Sequence, residues 1–296
     1  MFGSNKKIGG TAMIRIYADS TNDLGAELIE KNKVRIVPLY VRMGEETVKD
    51  GPSLDPDELY AWADKNKTTP STAAFSPGDA EEAIREAKTA GDDILFFGIS
   101  SEMSAACSVF KVAAEDVDYS DHVFVVDSRN LSTGIGLVIL KTAKMIEEGN
   151  KTAAEIWLEL QKIIPKVRAS FVVDTLLYLY RGGRCSAVSA LAASALGIKP
   201  KIIVADGKMS VGAKYRGKIE AVIKKYVKDL EPQLKKADMD AVFITHSGVD
   251  ASISEAVKAE LSELKHFDNV YITRAGGVIS SHCGPGTLGV LFIEND

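Results

Sequence analysis

From Met13 onward the chain alternates short runs of consecutive apolar, β-prone residues with longer segments whose apolar positions recur at helical spacing. "IRIYA" precedes "DLGAELIEKN", and "RIVPLYVRM" precedes "DPDELYAWADKN", where Asp55 suits a helix cap and Pro56 the first turn. Ser76 and Pro77 repeat that start signal ahead of "GDAEEAIREAKTA". "DILFFGIS", "SAACSVFKVAAEDV", "HVFVVDS" and a long helical pattern through "GLVILKTAKMIEEG" continue the series. Unbroken apolar strands separated by helices predict a parallel sheet covered on both faces.

After "AAEIWLELQKIIPK" the pattern changes. "ASFVVD", "KIIVADGKMSVGA", "DAVFITHS", "NVYITRA" and "LGVLFI" read as strands, with strong helices over 218–236 and 252–265. Asp206-Gly207 between two strand-like runs is a hairpin signal, which favours a mixed or antiparallel sheet here. The expectation is an α/β protein of two domains. An N-terminal parallel α/β domain covers 13–166, and a C-terminal domain with a mixed or antiparallel sheet and helices covers 167–296. Residues 1–12, "MFGSNKKIGGTA", are polar and Gly-rich and read as a leader or an appended remnant, with Met13 as the start.

Composition narrows the function classes. A chain of 296 residues, 46% apolar, has enough apolar residues for two cores. With 36 basic against 41 acidic side chains and no basic stripe interleaved with aromatics, nucleic acid is not an expected partner. The longest small-apolar stretch, "AVSALAASALGI", is shorter than the roughly 18 residues that span a bilayer, so no transmembrane segment is expected. Cys107, Cys185 and Cys283 are far apart, without the spacing of a disulfide framework or a zinc site. A reducing, cytoplasmic setting and no metal follow as expectations.

Ligands of open α/β sheets meet the loops at the carboxyl ends of the strands. Three such loops are rich in hydroxyls: Ala18 to Asp23, Gly98 to Ser104, and Val126 to Gly136. A fourth segment, "TTPSTAAFSPGD", joins two predicted helices and adds Thr72 and Ser76. Each alone reads as a set of helix caps; together they suggest an oxyanion site. Enzyme templates fail. "GPGTLG" fits GxGxxG, yet too few residues follow for a dinucleotide fold, and no GxxxxGK[ST] is present. Asp19 reads as an Asx-type cap. His122 and His266 read as solvent-facing, His246 ends a strand, and His282 sits between serines and a Gly-Pro-Gly turn. In "LYRGGRCS", Arg181 and Arg184 flank Gly182 and Gly183. That stretch is either a surface turn or a place where planar cations and bare backbone approach a carboxylate or phosphate.

Read in order, these loops resemble those of the DegV family, bacterial fatty-acid-binding proteins that serve a fatty acid kinase. The family's "DSTxDL" corresponds to Asp19 to Leu24, and "PTTSQPSPGD" to Pro70 to Asp79. "SSxLSGT" is similar to Ser100 to Ala106, and "VDSxxxSxGxG" to Val126 to Gly136. "LxRGGRIS" corresponds to Leu179 to Ser186, "LGIKP" to Leu196 to Pro200, and "HxGPGxLG" to His282 to Gly289.

The resemblance implies a long-chain fatty acid held between the domains, with its carboxylate presented to a separate ATP-dependent kinase for acyl phosphate formation and phospholipid synthesis. It implies a carrier rather than an enzyme, with the fatty acid as ligand and no cofactor. The site it implies comprises Thr72, Ser101, Ser104, Ser132, Gly183, Arg184 and His282, with Arg181 the lesser candidate. "AVSALAASALGI" is the expected tunnel wall. This sequence departs from the family pattern at Ala73, Ala74 and Phe75, and in "SAACS". The alternative is a phosphotransferase or hydrolase using the strand-end Asp19 and Asp127; a third reading is a sensory module for another amphiphile.

Overall fold

The structure, a computed structural model, describes residues 12–188 and 197–295. Strand β1 (Ile14–Asp19) is followed by helix α1 (Ala26–Lys31) and by β2 (Arg35–Val37), which pairs with β1 in parallel. Pro38 has no N–H to give to a ladder, and β2 ends just before it. The chain leaves the sheet there. Strands β3 (Tyr40–Met43) and β4 (Glu46–Lys49) form an antiparallel hairpin, α2 (Pro56–Asn66) follows, and β5 (Ser71–Ala73) returns to pair with β3. "RIVPLYVRM" is therefore two strands in two sheets. The segment expected to be a plain loop between helices contains β5, which pairs Thr72 with Val41.

The next elements are α3 (Pro77–Ala90), β6 (Asp93–Gly98), α4 (Ala106–Asp116), β7 (Val123–Asp127), α5 (Thr133–Glu148) and α6 (Ala153–Ile163). The start signals act as read. Asp55 accepts from the N–H of Asp57, and Ser76 forms a capping box with Asp79. Strands in the order β2-β1-β6-β7 make an all-parallel sheet. Ile94 to Phe97 of β6 are fully buried at consecutive positions because β6 is an inner strand on which α3, α4, α5 and α6 all pack.

The second half contains β8 (Val167–Val172), α7 (Leu177–Gly182), β9 (Ile198–Ala205), β10 (Lys208–Arg216), α8 (Ile219–Leu234) and β11 (Ala237–His246). It closes with α9 (Ala251–Glu263), β12 (Val270–Arg274), α10 (Gly277–Cys283) and β13 (Leu288–Glu294). The sheet order is β10-β9-β8-β13-β11-β12, and β11 with β12 is its one parallel pair. It is a mixed sheet. The β9-β10 hairpin turns through Asp206 (φ 51°) and Gly207 (φ 81°), the left-handed pair that matches strand twist. "GVISSHC", given no element by the sequence pattern, is the short helix α10, and His282 lies in it just before the Gly-Pro-Gly stretch.

The chain expected to divide at 166/167 passes there from a turn, Ile164–Lys166, into β8. One buried cluster runs from Ile16 and Phe97 in the parallel sheet to Phe171, Ile202 and Phe243 in the mixed sheet, while Tyr226, Leu230 and Val257 belong to another. Polar ties also join the halves. Ser100 Oγ donates to the carbonyl of Gly207 at 2.7 Å, Arg129 donates to that of Asp206, and Lys141 meets Asp238 and Asp240 at 2.8 and 2.7 Å. The three cysteines are buried and free. Among the described residues no helix is long and apolar enough to cross a membrane. The expected leader lies in 1–12, of which 1–11 are outside the described residues, as is most of the expected tunnel wall.

Gly207 tests the hairpin's seat. A Cβ there would meet Ser100 Oγ at 2.6 Å, whereas Gly91 (φ 75°) has open space. Urea titration of Gly91→Ala should show about 1 kcal/mol lost to left-handed strain. Gly207→Ala should lose about 1 kcal/mol more, because the buried Ser100 bond is displaced as well. Equal losses would show that the turn does not rest on Ser100.

Candidate ligand-binding site

Strands β1, β6 and β7 run in parallel and end at Asp19, Gly98 and Asp127, so their following loops share one edge of the sheet. A cavity of about 200 Å³ lies beside these loops. Thr72 and Ala73 come to it from β5, and Leu39 and Ala74 from just before β3 and just after β5. The loops after β6 and β7 contribute Ile99, Met103, Ser104, Ala105 and Leu131. Arg184, Met209, Val278, Ile279, His282 and Cys283 come from the second half of the chain.

Most of this lining is apolar, and the polar exceptions are Thr72, Ser104, Arg184 and His282. Thr72 Oγ1 lies 2.8 Å from Nε2 of His282. The Ser104 hydroxyl accepts from the N–H of Ala106 at 3.3 Å, at the start of α4. Arg184 donates from Nη1 to the carbonyl of Gly182 at 2.8 Å and from Nε toward that of Met103 at 3.5 Å. Both partners are neutral, and the guanidinium charge lines the cavity. Burial, and then the positive charge of Arg184, push the His282 imidazole down to about 4. At neutral pH it is an uncharged hydrogen-bonding group.

Helix α10 delivers His282. Val278, Ile279, His282 and Cys283 recur at helical spacing, so one face of α10 lines the cavity. Its leading N–H groups are received by carboxylates from the other end of the chain. Asp23 Oδ1 accepts from Gly276 and Asp50 Oδ1 from Gly277, each at 2.8 Å. Ser132 donates to Asp23 at 2.5 Å and Ser20 to Asp50 at 2.8 Å. Asp19 accepts from the N–H and hydroxyl of Thr21 and from the N–H of Ile99. Burial raises all three carboxyls, Asp19 to about 6 and Asp23 to about 8, and the charge of Asp50 adds to the rise at both.

Of the residues expected at the site, Thr72, Ser104, Arg184 and His282 share the cavity wall; Ser101, Ser132, Gly183 and Arg181 do not. The Ser101 hydroxyl donates to Asp127 at 2.6 Å, and that of Ser132 to Asp23. An ionisable carboxyl in reach holds each hydroxyl away from the cavity. Gly183 is the left-handed cap of α7 (φ 68°) with open space around it. Asp127 accepts from the N–H groups of Ser101 and Arg129, Asp19 separately caps the turn Ser20–Asn22, and neither is in the lining. His122 is exposed beside Asp93. His266, expected to face solvent, is half-buried with Nε2 2.7 Å from the carbonyl of Ala237. His246 Nδ1 accepts from Gly248 and Val249. Among the described residues no group of His, Cys, Asp or Glu could hold a metal ion.

The departures from the family pattern have places here. Ala73 and Ala74 line the cavity, and Phe75 is buried edge-on against Phe96 and Phe110 at 5.8 and 6.3 Å. Sequence reasoning expected an apolar tunnel but named none of the apolar residues that line this cavity, and it did not foresee the carboxylates behind α10. A weak signal existed for the wall. Leu39 follows Pro38, Ile99 follows a strand, and Met209 is the second residue of β10, all apolar residues close to a strand end.

A family model described as "Uncharacterised protein, DegV family" matches residues 13–295. The chain belongs to the DegV family. A DegV domain-containing protein of Deinococcus radiodurans is 31% identical over 282 residues, covering 94% of this chain and 97% of that one. Protein DegV of Bacillus subtilis is 30% identical over 280 residues, covering 94% and 98%. Among solved structures, a DegV protein of Thermus thermophilus described for its fatty acid binding superposes with a TM-score of 0.87 at 27% identity, covering 96% of this chain and all of that one. A stearic acid-binding protein of Eubacterium ventriosum gives 0.84 at 28% identity, covering 95% and 98%. The α/β architecture of one parallel and one mixed sheet is that of these DegV structures.

The carboxyls behind α10 make stability depend on pH. Asp23, raised to about 8 when folded, holds its proton in the native state long after the unfolded chain has released it near 3.9. Its contribution is full below the unfolded value and is lost as pH rises toward 8. Between about pH 7 and pH 8 this one proton should lower stability by up to about 1.4 kcal/mol per pH unit. Urea unfolding across that window should show the fall, and Asp23→Asn should flatten it. A wild-type profile that stays level would refute the assignment.

Proposed function

We propose that this protein binds a long-chain fatty acid and presents its carboxylate to a separate ATP-dependent fatty acid kinase, which forms the acyl phosphate. The observation that carries the reading is one cavity whose few polar side chains, Thr72, Ser104, Arg184 and His282, accompany a wall of aliphatic, Met and Cys side chains. Solved DegV relatives described as fatty-acid-binding proteins support it.

A carboxylate taken out of water needs hydrogen-bond donors and a compensating charge. Thr72, Ser104 and His282 offer the first and Arg184 the second. The tail supplies the affinity. At roughly 0.8 kcal/mol per buried methylene, about 15 such groups contribute about 12 kcal/mol before the cost of association. With Ala73 and Ala74 bearing no donors, the head group depends more heavily on the four polar residues that remain.

In this reading 13–166 and 167–296 act as two lobes with the ligand between them, in the cytoplasm, and the protein is a carrier for phospholipid synthesis and not itself the catalyst. The kinase supplies the nucleotide site, and no cofactor or metal is required of the carrier.

Native mass spectrometry of the purified protein should detect a bound species of fatty-acid mass, absent after denaturation. With a fatty acid kinase and ATP, Arg184→Ala and His282→Ala should each lower acyl phosphate formation by at least about tenfold, the worth of one charge-assisted hydrogen bond, while the melting temperature moves little. Equal loss of stability and acyl phosphate would make these residues structural. Turnover of a phosphate ester by the protein alone would instead favour an enzyme built on Asp19 and Asp127.

A further inference from the structure

Helix α7 ends against the site histidine. A Cβ built on Gly182 would lie 2.2 Å from Nδ1 of His282 and 3.1 Å from its Cε1. The hydrogen that glycine carries in that position is therefore aimed at Nδ1. The nitrogen is shut off from solvent, and it has no hydrogen-bond partner among the described residues.

Those facts decide where the imidazole proton sits. A hydrogen on Nδ1 would run into the hydrogen of Gly182 and would be a buried donor with nothing among the described residues to receive it, which is costly. A bare lone pair there faces a Cα–H, a weak but favourable contact. Turning the ring over would replace Nε2 by a carbon opposite Thr72 Oγ1 and forfeit the 2.8 Å hydrogen bond. The proton belongs on Nε2, from which it is donated to Thr72. The Thr72 oxygen is then an acceptor toward His282, and its own hydrogen is free to be donated into the cavity.

Resting on the fatty-acid reading above, we propose that Gly182 is a positioning residue for the head group. By pressing a bare Cα on Nδ1 it fixes the Nε2–H tautomer of His282, and so directs a chain of donation from His282 to Thr72 to an anionic carboxylate. The ligand end of that chain is a donor, so the site selects a head group that accepts. Arg184, tied to the carbonyl of Gly182 itself, adds positive charge at the same place.

Backbone strain does not explain a glycine at 182. It lies within α7 and is not among the glycines with a positive φ, so alanine fits its conformation and favours the helix. What alanine meets is the His282 ring, from Nδ1 to Cγ, and not backbone; the ring borders the cavity and can swing into it, so the variant should fold while displacing the ring.

The test uses the whole protein labelled with 15N-histidine. Long-range imidazole NMR spectra, with the His282 signals assigned by their loss in His282→Gln, should show a protonated Nε2 and an unprotonated Nδ1 at neutral pH. In Gly182→Ala that signature should change, and oleate affinity should fall about ten- to a hundredfold, the range for losing a hydrogen bond to a charged group, at nearly unchanged thermal stability. Thr72→Val should lower oleate affinity to a similar degree while leaving the His282 tautomer in place. A protonated Nδ1 in the wild type, or full oleate affinity in Gly182→Ala, would overturn the inference while the fatty-acid reading stood. A wild type that binds no oleate would overturn that reading instead.

Discussion

The wall that carries His282 depends on two backbone N–H groups finding acceptors inside the protein. Helix α10 is seven residues long, too short to hold itself together, so its position is set by what it is tied to. Gly276 and Gly277 donate to Asp23 and Asp50, which the first fifty residues place behind the cavity. The approach is close enough that a Cβ on Gly277 would meet Leu54 Cδ2 at 2.3 Å. Leaving those donors unpaired in the interior would cost more than the helix contributes on its own. The arrangement places His282 beside Thr72, 210 positions away in the chain.

From that constraint the character of the cavity follows. The same burial that raises the carboxyls behind α10 keeps the imidazole in front of it neutral, so the cationic charge at the site belongs to Arg184. The walls come from loops of the parallel sheet, from the small β4-β3-β5 sheet and from the second half of the chain, so the cavity exists only while these parts are assembled. Met103 and Met209 supply flexible, polarisable surface suited to an oily chain. Met209 comes just after the hairpin turn whose carbonyls rest on Ser100 and Arg129, which ties the wall to the loops of the other half.

Elements with strong local signals were legible. The parallel strands announce themselves as unbroken apolar runs, Asp55 and Ser76 as helix starts, and Asp206-Gly207 as a hairpin. Elements made by pairing were not. β5 is three residues whose strand character comes from lying against β3, and α10 is one short helix of seven residues that begins at a glycine and carries two serines, without a helical pattern of its own. The same division runs through the site. Thr72, Ser104, Arg184 and His282 could be named from ordered motifs, but motifs do not say which hydroxyl is free. Ser101 and Ser132 are spent on Asp127 and Asp23, carboxyls whose proximity depends on how the loops pack.

By itself the sequence determined the fold class, most of the helices and longer strands, and the polar residue types a ligand head would need, because periodicity, caps and turn residues act over a few neighbours. Only the tertiary structure decided which of those side chains face one cavity, what lines the rest of it, and that Gly182 rather than Gly183 lies against the histidine. Those outcomes depend on contacts between residues as far as 253 positions apart, where packing decides whether a group faces the ligand or is already bonded within the protein.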